Sequence, residues 1–360
     1  MKHTKFLAAL AVVGLAAAAC GSKPVSTSSS SSASSNAASF KACMVTDTGG
    51  LDDHSFNQES WQGMQDAASG SGGKIAVKNA TSASENDYAT NIDGFVSGGC
   101  NLIVTVGFAM ATATTDAAKK TAAQKFAIVD NTSVGTTIKG LTFNTAQGAF
   151  LGGYFAAAMT HTGKVATFGG ANYPTVTVYM DGFWEGVKYY NAQKGKNVQV
   201  LGWDETTQKG TFDSSASPFT DQAGGQQIAK TFEGQGADIV FPVAGGTGIG
   251  ALAAAKASNG TLKAIWVDDD GCLSNASYCD IILTSVTKGI ASAVKSVVTD
   301  TAAGNFSSTA YVGTLTNDGT GLAPFHDFAS TVPASLSTEL ATIKAGIESG
   351  SIKIASKSQP

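Results

Sequence analysis

The chain of 360 residues carries a formal net charge of −4 at pH 7, and this mildly acidic balance argues against nucleic acid as a partner. All 23 of its basic residues are lysine, so it lacks the planar guanidinium that usually clamps carboxylate or phosphate groups. The composition therefore disfavours free amino acids, dicarboxylates and nucleotides as ligands, and it favours a neutral molecule rich in hydroxyl groups.

Residues 1–19 have the features of an export signal. Lys2 and Lys5 give a positive start, and Phe6–Ala19 is an apolar run that is too short to span a bilayer and that ends in small residues. Because Cys20 follows directly, the segment resembles a bacterial lipoprotein signal, in which cleavage leaves that cysteine to receive a lipid. An ordinary secretory signal with an incidental cysteine is the alternative.

Residues 20–39 are predicted to form a flexible tether. The stretch consists mainly of Ser, Ala, Thr and Asn, and such a composition buries too little apolar surface to offset its chain entropy. A tether behind a lipidated Cys20 would hold a globular domain beside the extracytoplasmic face of the cell membrane. The rest of the chain has no second apolar run of the length that crosses a membrane.

From residue 40 onward, short apolar runs alternate with segments of helical periodicity. The runs are continuously apolar, as in parallel strands that are covered on both faces. They predict strands over Ala42–Asp47, Lys74–Lys78, Leu102–Gly107, Phe126–Asp130, Val165–Gly169, Val198–Trp203, Asp238–Ala244, Leu262–Asp268 and Ile281–Val286. The helical segments between them include Ser55–Ala68, Asn86–Val96, Gln147–Met159, Val178–Asn191 and Gln222–Phe232.

This alternation predicts an α/β fold with two doubly wound parallel-sheet lobes. We expect residues 40–145 plus about 271–315 to form the first lobe, and residues 146–270 plus about 316–360 to form the second. Ligands of open α/β sheets bind beyond the carboxyl ends of the strands. The residues expected to face a cleft between the lobes are therefore those that end strands: Asp47, Gly107, Asp130, Gly169, Gly245 and Asp268.

Four cysteines follow Cys20, and an even count in an exported chain predicts two disulfides. Cys272 and Cys279 are close enough in sequence to staple one loop. Cys43 and Cys100 lie at the starts of two predicted strands, which suits a bond between neighbouring strands. A zinc site is the alternative, but the spacing of structural zinc ligands is absent, so we expect no metal.

The segment that begins at Val45, VTDTGGLDDHSFNQESWQGM, resembles the opening of the basic membrane protein family, the PnrA-like lipoproteins that serve ABC importers. Further matches follow in order: NLIVTVGF, FAIVD, GAFLGGYFAA, DGFWEGV, VFPVAGGTGIGAL, WVDDDG and LTSVTKG. The resemblance implies a type I periplasmic-binding-protein-like fold with a hinge, whose lobes close on a purine nucleoside. It also implies a lipid-anchored monomer with a permease as partner, and neither enzymatic activity nor a cofactor.

By this resemblance, Phe56 and Phe183 sandwich the base, and Asp47, with Asn57 beside it, accepts hydrogen bonds from the base edge. An aromatic face suits a purine, because stacking contributes about 1–3 kcal/mol per base. Ser55 is expected to cap the helix that follows, and it is also predicted to be one of the ligand-binding residues. From composition alone, both phenylalanines would be core residues at helix starts.

The resemblance assigns the ribose to Asp130, Asp268 and Lys288. A carboxylate accepts hydrogen bonds from two neighbouring hydroxyls at once, and the lysine either reaches the ribose oxygens or neutralises the acids around it. We prefer Asp268 because it comes first after its strand, whereas Asp269 and Asp270 remain alternatives.

A rival motif, GTGIGA at Gly246–Ala251, follows a predicted strand and precedes acids by about twenty residues, as in dinucleotide-binding folds. It makes an NAD-dependent oxidoreductase the alternative of another class. The motif lies late in the chain, however, and no obvious general acid or base accompanies it. Gly245 and Gly246 also suit a close approach of backbone to a ligand. A binding protein for a sugar or other neutral metabolite, and a sensor or adhesin, are further alternatives.

Overall fold

The computed structural model describes residues 38–360. The strands are β1 (Phe40–Thr46), β2 (Ile75–Ala80), β3 (Leu102–Val106), β4 (Lys125–Val129), β5 (Ile138–Phe143), β6 (Lys164–Gly169), β7 (Gln199–Leu201), β8 (Trp203–Asp204), β9 (Lys209–Gly210), β10 (Ile239–Val243), β11 (Lys263–Asp268), β12 (Ile282–Lys288), β13 (Tyr311–Gly313) and β14 (Thr320–Leu322). The predicted export signal, the lipidated Cys20 and nearly all of the predicted tether fall on residues 1–37, outside the described part.

The α-helices are α1 (Phe56–Gly70), α2 (Asp87–Ser97), α3 (Ala111–Lys120), α4 (Ala146–Met159), α5 (Pro174–Lys194), α6 (Gln222–Gly234), α7 (Gly246–Ala257), α8 (Gly271–Ser274), α9 (Ile290–Ala302) and α10 (Ala334–Glu348). Short 3-10 helices cover Phe108–Met110, Ala276–Ile281, Leu315–Asn317 and His326–Phe328. Within residues 38–360, no helix is both long and apolar enough to cross a membrane.

The first sheet has the strand order β13-β5-β4-β3-β1-β2, and all of its strands are parallel. Successive side chains of a strand point to opposite faces. In β1, Ala42 and Met44 therefore join the apolar core on one face, while Cys43 and Val45 join the core on the other. Helices cover both faces, which explains why the strands appear as unbroken apolar runs in the sequence.

The second sheet repeats this plan with the order β14-β12-β11-β10-β6-β7, in which only β14 is antiparallel to its neighbour. Val165 and Ala166 of β6 again enter cores on opposite faces. The small hairpin β8-β9 lies outside both sheets. The α/β class with two parallel-sheet lobes is thus confirmed.

The chain passes between the two sheets three times: after β5 ends at Phe143, after β12 ends at Lys288, and between β13 and β14. The expected return to the first sheet near residue 271 is wrong, because Ile282–Lys288 pairs with β11 of the second sheet. Gly271–Ile281 supplies the crossover that parallel neighbours require. We therefore define the first lobe as residues 40–145 plus 289–313, and the second as residues 146–288 plus 314–360.

Every strand and helix that the periodicity predicts is present, with ends shifted by a few residues. The elements that the sequence pattern did not predict include β5, the short strands β13 and β14, and helices α3, α9 and α10. Both disulfides occur in the pairing that the positions suggested: Cys43 with Cys100 and Cys272 with Cys279. The first joins the middle of β1 to the residue two positions before the neighbouring strand β3, and the second staples the loop between β11 and β12.

Candidate ligand-binding site

A pocket lies between the lobes, at the carboxyl ends of the parallel strands of both sheets. Most of the residues predicted from the sequence line it: Asp47, Phe56, Asn57, Gly107, Asp130, Gly245, Asp268 and Lys288. Ser55 and Phe183 do not line it, nor does Gly169, which faces the Val176 and Phe212 side chains. The strand-end rule therefore predicts where this pocket lies, whereas Ser55, Phe183 and Gly169 lie outside its lining.

The first lobe contributes a carboxylate and an amide that hold each other in place. Asp47 follows β1, and its Oδ1 accepts hydrogen bonds from the Gly49 backbone N–H at 3.0 Å and from Asn57 Nδ2 at 2.9 Å. The Asn57 Oδ1 atom is buried and makes no hydrogen bond to any residue between 38 and 360. Asp47 and Asn57 together offer a ligand acceptor oxygens in a fixed orientation.

Asp53, and not Ser55, caps helix α1. Its carboxylate accepts hydrogen bonds from the backbone N–H groups of Ser55 at 3.1 Å, Asn57 at 2.7 Å and Gln58 at 3.0 Å. These are donors that the first turn of a helix leaves without an intrahelical partner. The Ser55 hydroxyl is fully buried and makes no cap hydrogen bond. The two residues compete for the same donors, and the carboxylate is the stronger acceptor.

Phe183 belongs to the core of the second lobe. Its side chain is 0% exposed and packs against Phe241, with ring centroids 5.2 Å apart. Tyr179, one helical turn earlier on α5, lines the pocket in its place. Positions i and i+4 share one face of a helix, so Tyr179 and the predicted Phe183 lie on the same face of α5, and the pocket is lined from the earlier turn.

Aromatic side chains from both lobes border the pocket. Phe56 begins α1, and its ring centroid lies 4.7 Å from Lys288 Nζ. Phe108 of the first lobe meets Tyr173 of the second at a centroid distance of 5.4 Å, and Tyr173 meets Phe219 at 6.1 Å. Phe108, Tyr173 and Phe219 were not predicted from the sequence. Phe108 directly follows the predicted strand-end Gly107, which was the available signal.

A polar cluster occupies the part of the pocket near the crossing from β12 to α9. Lys288 Nζ donates to Asp130 Oδ2 of the first lobe at 2.6 Å, and Tyr179 Oη donates to Asp268 Oδ1 at 2.5 Å. The carboxylates, the lysine and the tyrosine are all at most 8% exposed. The cluster therefore holds oriented acceptors in a site from which bulk water is largely excluded.

The carboxylates of the pocket outnumber its cations. Burial raises the pKa of Asp130 to about 6, although the Lys288 ammonium acts to lower it. Burial also raises the pKa of Asp268 and of Asp47 above the usual range. Transfer of a negatively charged ligand into a pocket that already holds several carboxylates would be costly. The pocket suits a neutral ligand with several hydrogen-bond donors.

One group of side chains in the described region contains residue types that bind metals but cannot supply all of the ligands. Asp270, Cys272 and His326 place ligand atoms within 4.8 Å of one another. Cys272 is bonded to Cys279, however, so it has no thiolate to offer. The His326 ring nitrogen Nε2 contacts Asp270 Oδ2 at 2.7 Å, and the pair is explained as an ordinary polar contact.

The comparison with protein families decides the class. The family model described as Bmp, ABC transporter substrate-binding protein PnrA-like, matches residues 40–327. The chain belongs to this family. It is thus a solute-binding protein of an ABC transporter, and its family is one of binding proteins, not enzymes.

Two relatives of this Bmp-family protein illustrate the match. A protein of Listeria monocytogenes named CD4+ T-cell-stimulating antigen is 32% identical, over 99% of this chain and 100% of its own. The ABC transporter nucleoside-binding protein BmpA of Lactococcus lactis subsp. cremoris is 30% identical, over 74% of this chain and 76% of its own. A solved solute-binding protein of an ABC transporter from Aeropyrum pernix K1 shares the fold, with a TM-score of 0.75, 23% identity and coverage of 88% and 93%.

The glycine-rich segment of this Bmp-family chain serves the binding fold. Gly245 precedes α7 with φ +51°, a conformation that L side chains rarely adopt, and it lines the pocket. The backbone N–H of Thr247 bonds to the Phe219 and Ala244 carbonyls, and that of Gly248 bonds to Gly245. These donors are already used within the protein, whereas a dinucleotide fold presents the N–H groups of this turn to a pyrophosphate.

Proposed function

We propose that this protein captures a nucleoside, with a preference for purines, and delivers it to the permease of an ABC importer. The observation that carries the proposal is that one pocket combines an aromatic ring with two sets of buried polar groups. Phe56 lies in the lining together with the carboxylate–amide pair Asp47–Asn57 and with the cluster of Asp130, Asp268 and Lys288. A nucleoside has the matching combination of a flat base with polar edges and a ring with hydroxyls.

The base is assigned to Phe56, Asp47 and Asn57. The aromatic face of Phe56 offers a stacking surface, which contributes about 1–3 kcal/mol per base. The Asn57 Oδ1 atom has no partner among the described residues, and a buried acceptor of this kind is costly until a donor meets it. An N–H of a purine edge supplies such a donor. On the opposite side, Tyr173 and Phe219 extend the aromatic lining.

The ribose is assigned to Asp130, Asp268 and Lys288. Neighbouring hydroxyls of a ribose donate well to a carboxylate, which has acceptor positions for two of them. The Asp130 carboxylate is held by Lys288, and the Asp268 carboxylate is held by Tyr179. The absence of arginine and the surplus of acids also disfavour a 5′-phosphate. Gly107 and Gly245 are assigned to close backbone contact with the ligand.

The setting of the protein is part of the proposal. The relative from Lactococcus lactis is named a nucleoside-binding protein, and we extend that property to this chain. We place it as a monomer on the extracytoplasmic face of the cell membrane, anchored through a lipid on Cys20. The closed surface that both lobes form would then dock on the permease.

The test is calorimetric titration of protein that begins at Asn36, four residues before β1. The protein is unfolded and refolded first, because a ligand retained during purification would mask the pocket. Titrants are adenosine, guanosine, inosine, uridine, 2′-deoxyinosine, inosine 5′-monophosphate and ribose. Inosine and 2′-deoxyinosine form a matched pair that differs by one hydroxyl at the ribose end.

Saturable binding of purine nucleosides, weaker binding of 2′-deoxyinosine and little response to ribose or the monophosphate would support the proposal. If ribose or another sugar binds and the nucleosides do not, the aromatic side chains of the pocket pack against a sugar ring and not against a base. If no nucleoside binds, the proposal is contradicted, and only the assignment to the class of solute-binding proteins remains.

A further inference from the structure

The two lobes also meet outside the pocket, at a contact that we call the seam, formed by His54 of the first lobe with Trp266 and Ser274 of the second. His54 lies between β1 and α1 and does not line the pocket. Trp266 Nε1 donates to the His54 backbone carbonyl at 3.1 Å. The His54 ring nitrogen Nδ1 lies 2.6 Å from the Ser274 carbonyl oxygen. Both hydrogen bonds cross between lobes.

The backbone of His54 is held in an unusual conformation. Its φ is +52°, in the left-handed region that glycine and asparagine occupy most readily. Such a conformation persists only where surrounding contacts hold it, and a side chain retained there often has a use. A carbonyl oxygen can only accept, so Nδ1 of His54 must carry the proton in this bond. The imidazole therefore acts as a directed donor towards the opposite lobe.

The acceptor is fixed before the lobes meet. Ser274 ends the short helix α8 in the loop Gly271–Ile281, which the Cys272–Cys279 disulfide closes. The Gly271 N–H donates to Ser285 Oγ of β12 at 2.9 Å, which ties the loop to its own sheet. A rigid acceptor loses little conformational entropy when the bond forms. The stapled loop thus presents the Ser274 carbonyl in a defined position.

We propose that His54 and the stapled loop Gly271–Ile281 form a closure latch, which lengthens the time that the lobes stay shut on the solute. Both seam hydrogen bonds exist only when the lobes are closed, so they stabilise that state without contacting the ligand. A contact made only in one of two conformations shifts the population towards it. The latch acts on the solute release rate, whichever solute the pocket takes.

The test compares three variants of the protein that begins at Asn36. His54→Gly keeps the backbone conformation accessible and removes the donor. His54→Asn is the rescue variant, because asparagine tolerates a positive φ and its Nδ2 occupies the place of the imidazole Nδ1. Trp266→Phe removes the other donor and keeps an aromatic ring. His161→Asn, at an exposed turn on the second lobe, is the matched control.

Stopped-flow release of inosine is measured for each protein. Loss of one hydrogen bond changes the equilibrium between open and closed lobes by roughly three- to tenfold. Because the bond is present only in the closed state, its loss should mainly raise the rate of solute release. We expect His54→Gly and Trp266→Phe to release inosine about three- to tenfold faster, with His54→Asn and the control within about twofold of the parent. The melting temperature of ligand-free His54→Gly should change little, since opening of the lobes leaves the apolar core of each lobe intact.

A second readout does not depend on nucleoside binding. Spin labels at Asp116→Cys on α3 and Lys230→Cys on α6, both exposed and one in each lobe, report the distance between the lobes with and without inosine. A longer distance between the lobes in His54→Gly than in the parent supports the latch. If the parent does not respond to inosine, that contradicts only the nucleoside assignment, and the distances without ligand still test the latch. Identical distances and release rates in His54→Gly and the parent would overturn the latch.

Discussion

Asp130 and Asp268 occupy equivalent positions in the two lobes and share an unusual backbone conformation. Asp130 follows β4 and Asp268 ends β11, and each of these strands is third in its sheet from the β13 or β14 edge. Their φ angles are +64° and +65°, in the left-handed region that few non-glycine residues adopt. Strain of this kind is common where a side chain must be aimed at a ligand. Lys288, at the end of β12, lies beside both carboxylates.

The Lys288→Met variant tests whether the lysine keeps this acid pair in its binding form. Without the ammonium, the pKa of Asp130 should rise further above its already raised value of about 6. A protonated Asp130 loses an acceptor, so we expect solute affinity at pH 7 to fall at least tenfold by calorimetry. The matched control is Lys295→Met on the exposed side of α9. Unchanged affinity in Lys288→Met would remove the lysine from the site.

The two phenylalanines that the sequence analysis grouped together should behave in opposite ways. Phe56→Ala removes a pocket wall, and we expect affinity to fall about tenfold or more while the melting temperature changes little. Phe183→Ala empties a fully buried position and should cost about 3–5 kcal/mol of the free energy of unfolding. Calorimetry and urea unfolding on both variants separate the effects. The reverse pattern would return Phe183 to the site.

The sequence predicts the main strands and the strand-end acids because their signals are local. Asp47, Asp130 and Asp268 each end an apolar run, and a parallel sheet brings such ends to one edge. The strand β5 was missed because Lys139 and Gly140 interrupt its apolar pattern. Strands β13 and β14, of three residues each, carry too few residues to show a period.

Other features depend on contacts that no local pattern encodes. Tyr173 and Phe219 reach the pocket from segments outside the sheets, and only the packing of the second lobe brings them there. The choice of Tyr179 over Phe183 depends on how far α5 extends past the sheet edge. The cap on α1 by Asp53 in place of Ser55 depends on the path of the turn. These outcomes follow from tertiary packing, which a single sequence does not reveal.

The two disulfides should differ in their effect on stability. In the chain-entropy model, a bond across a separation of 57 residues restricts the unfolded chain more than one across 7. We expect a Cys43→Ala, Cys100→Ala variant to lose about 4 kcal/mol of the free energy of unfolding. A Cys272→Ser, Cys279→Ser variant should lose about 2.5 kcal/mol. Guanidinium unfolding of the two variants measures these free-energy losses. Equal losses in both variants would argue against the entropic explanation.

Closing the lobes should also take up a proton at the contact between Glu59 of α1 and Asp269 of the second lobe. Burial, followed by the charge of the neighbouring Asp269 carboxyl, raises the pKa of Glu59 to about 8, from an ordinary value of 4.5. When the lobes open, the two carboxyls separate and water reaches Glu59, so its pKa returns towards the ordinary value. The closed form therefore binds more protons than the open form between about pH 4.5 and 8.

The sign of the pH effect on affinity follows from this difference. Because the closed form holds the extra proton, raising the pH through this window weakens closure, and affinity should level off above about pH 8. The pKa values of Asp130 and Asp268 are also raised, and both residues contribute to the pH dependence of the parent and the variant alike. The informative quantity is therefore the difference between the parent and Glu59→Gln, which mimics the protonated acid. We expect the parent to lose at least threefold more affinity than Glu59→Gln between pH 6 and pH 8, roughly, in calorimetric titrations with inosine. Equal losses would mean that Glu59 does not change its protonation when the lobes close.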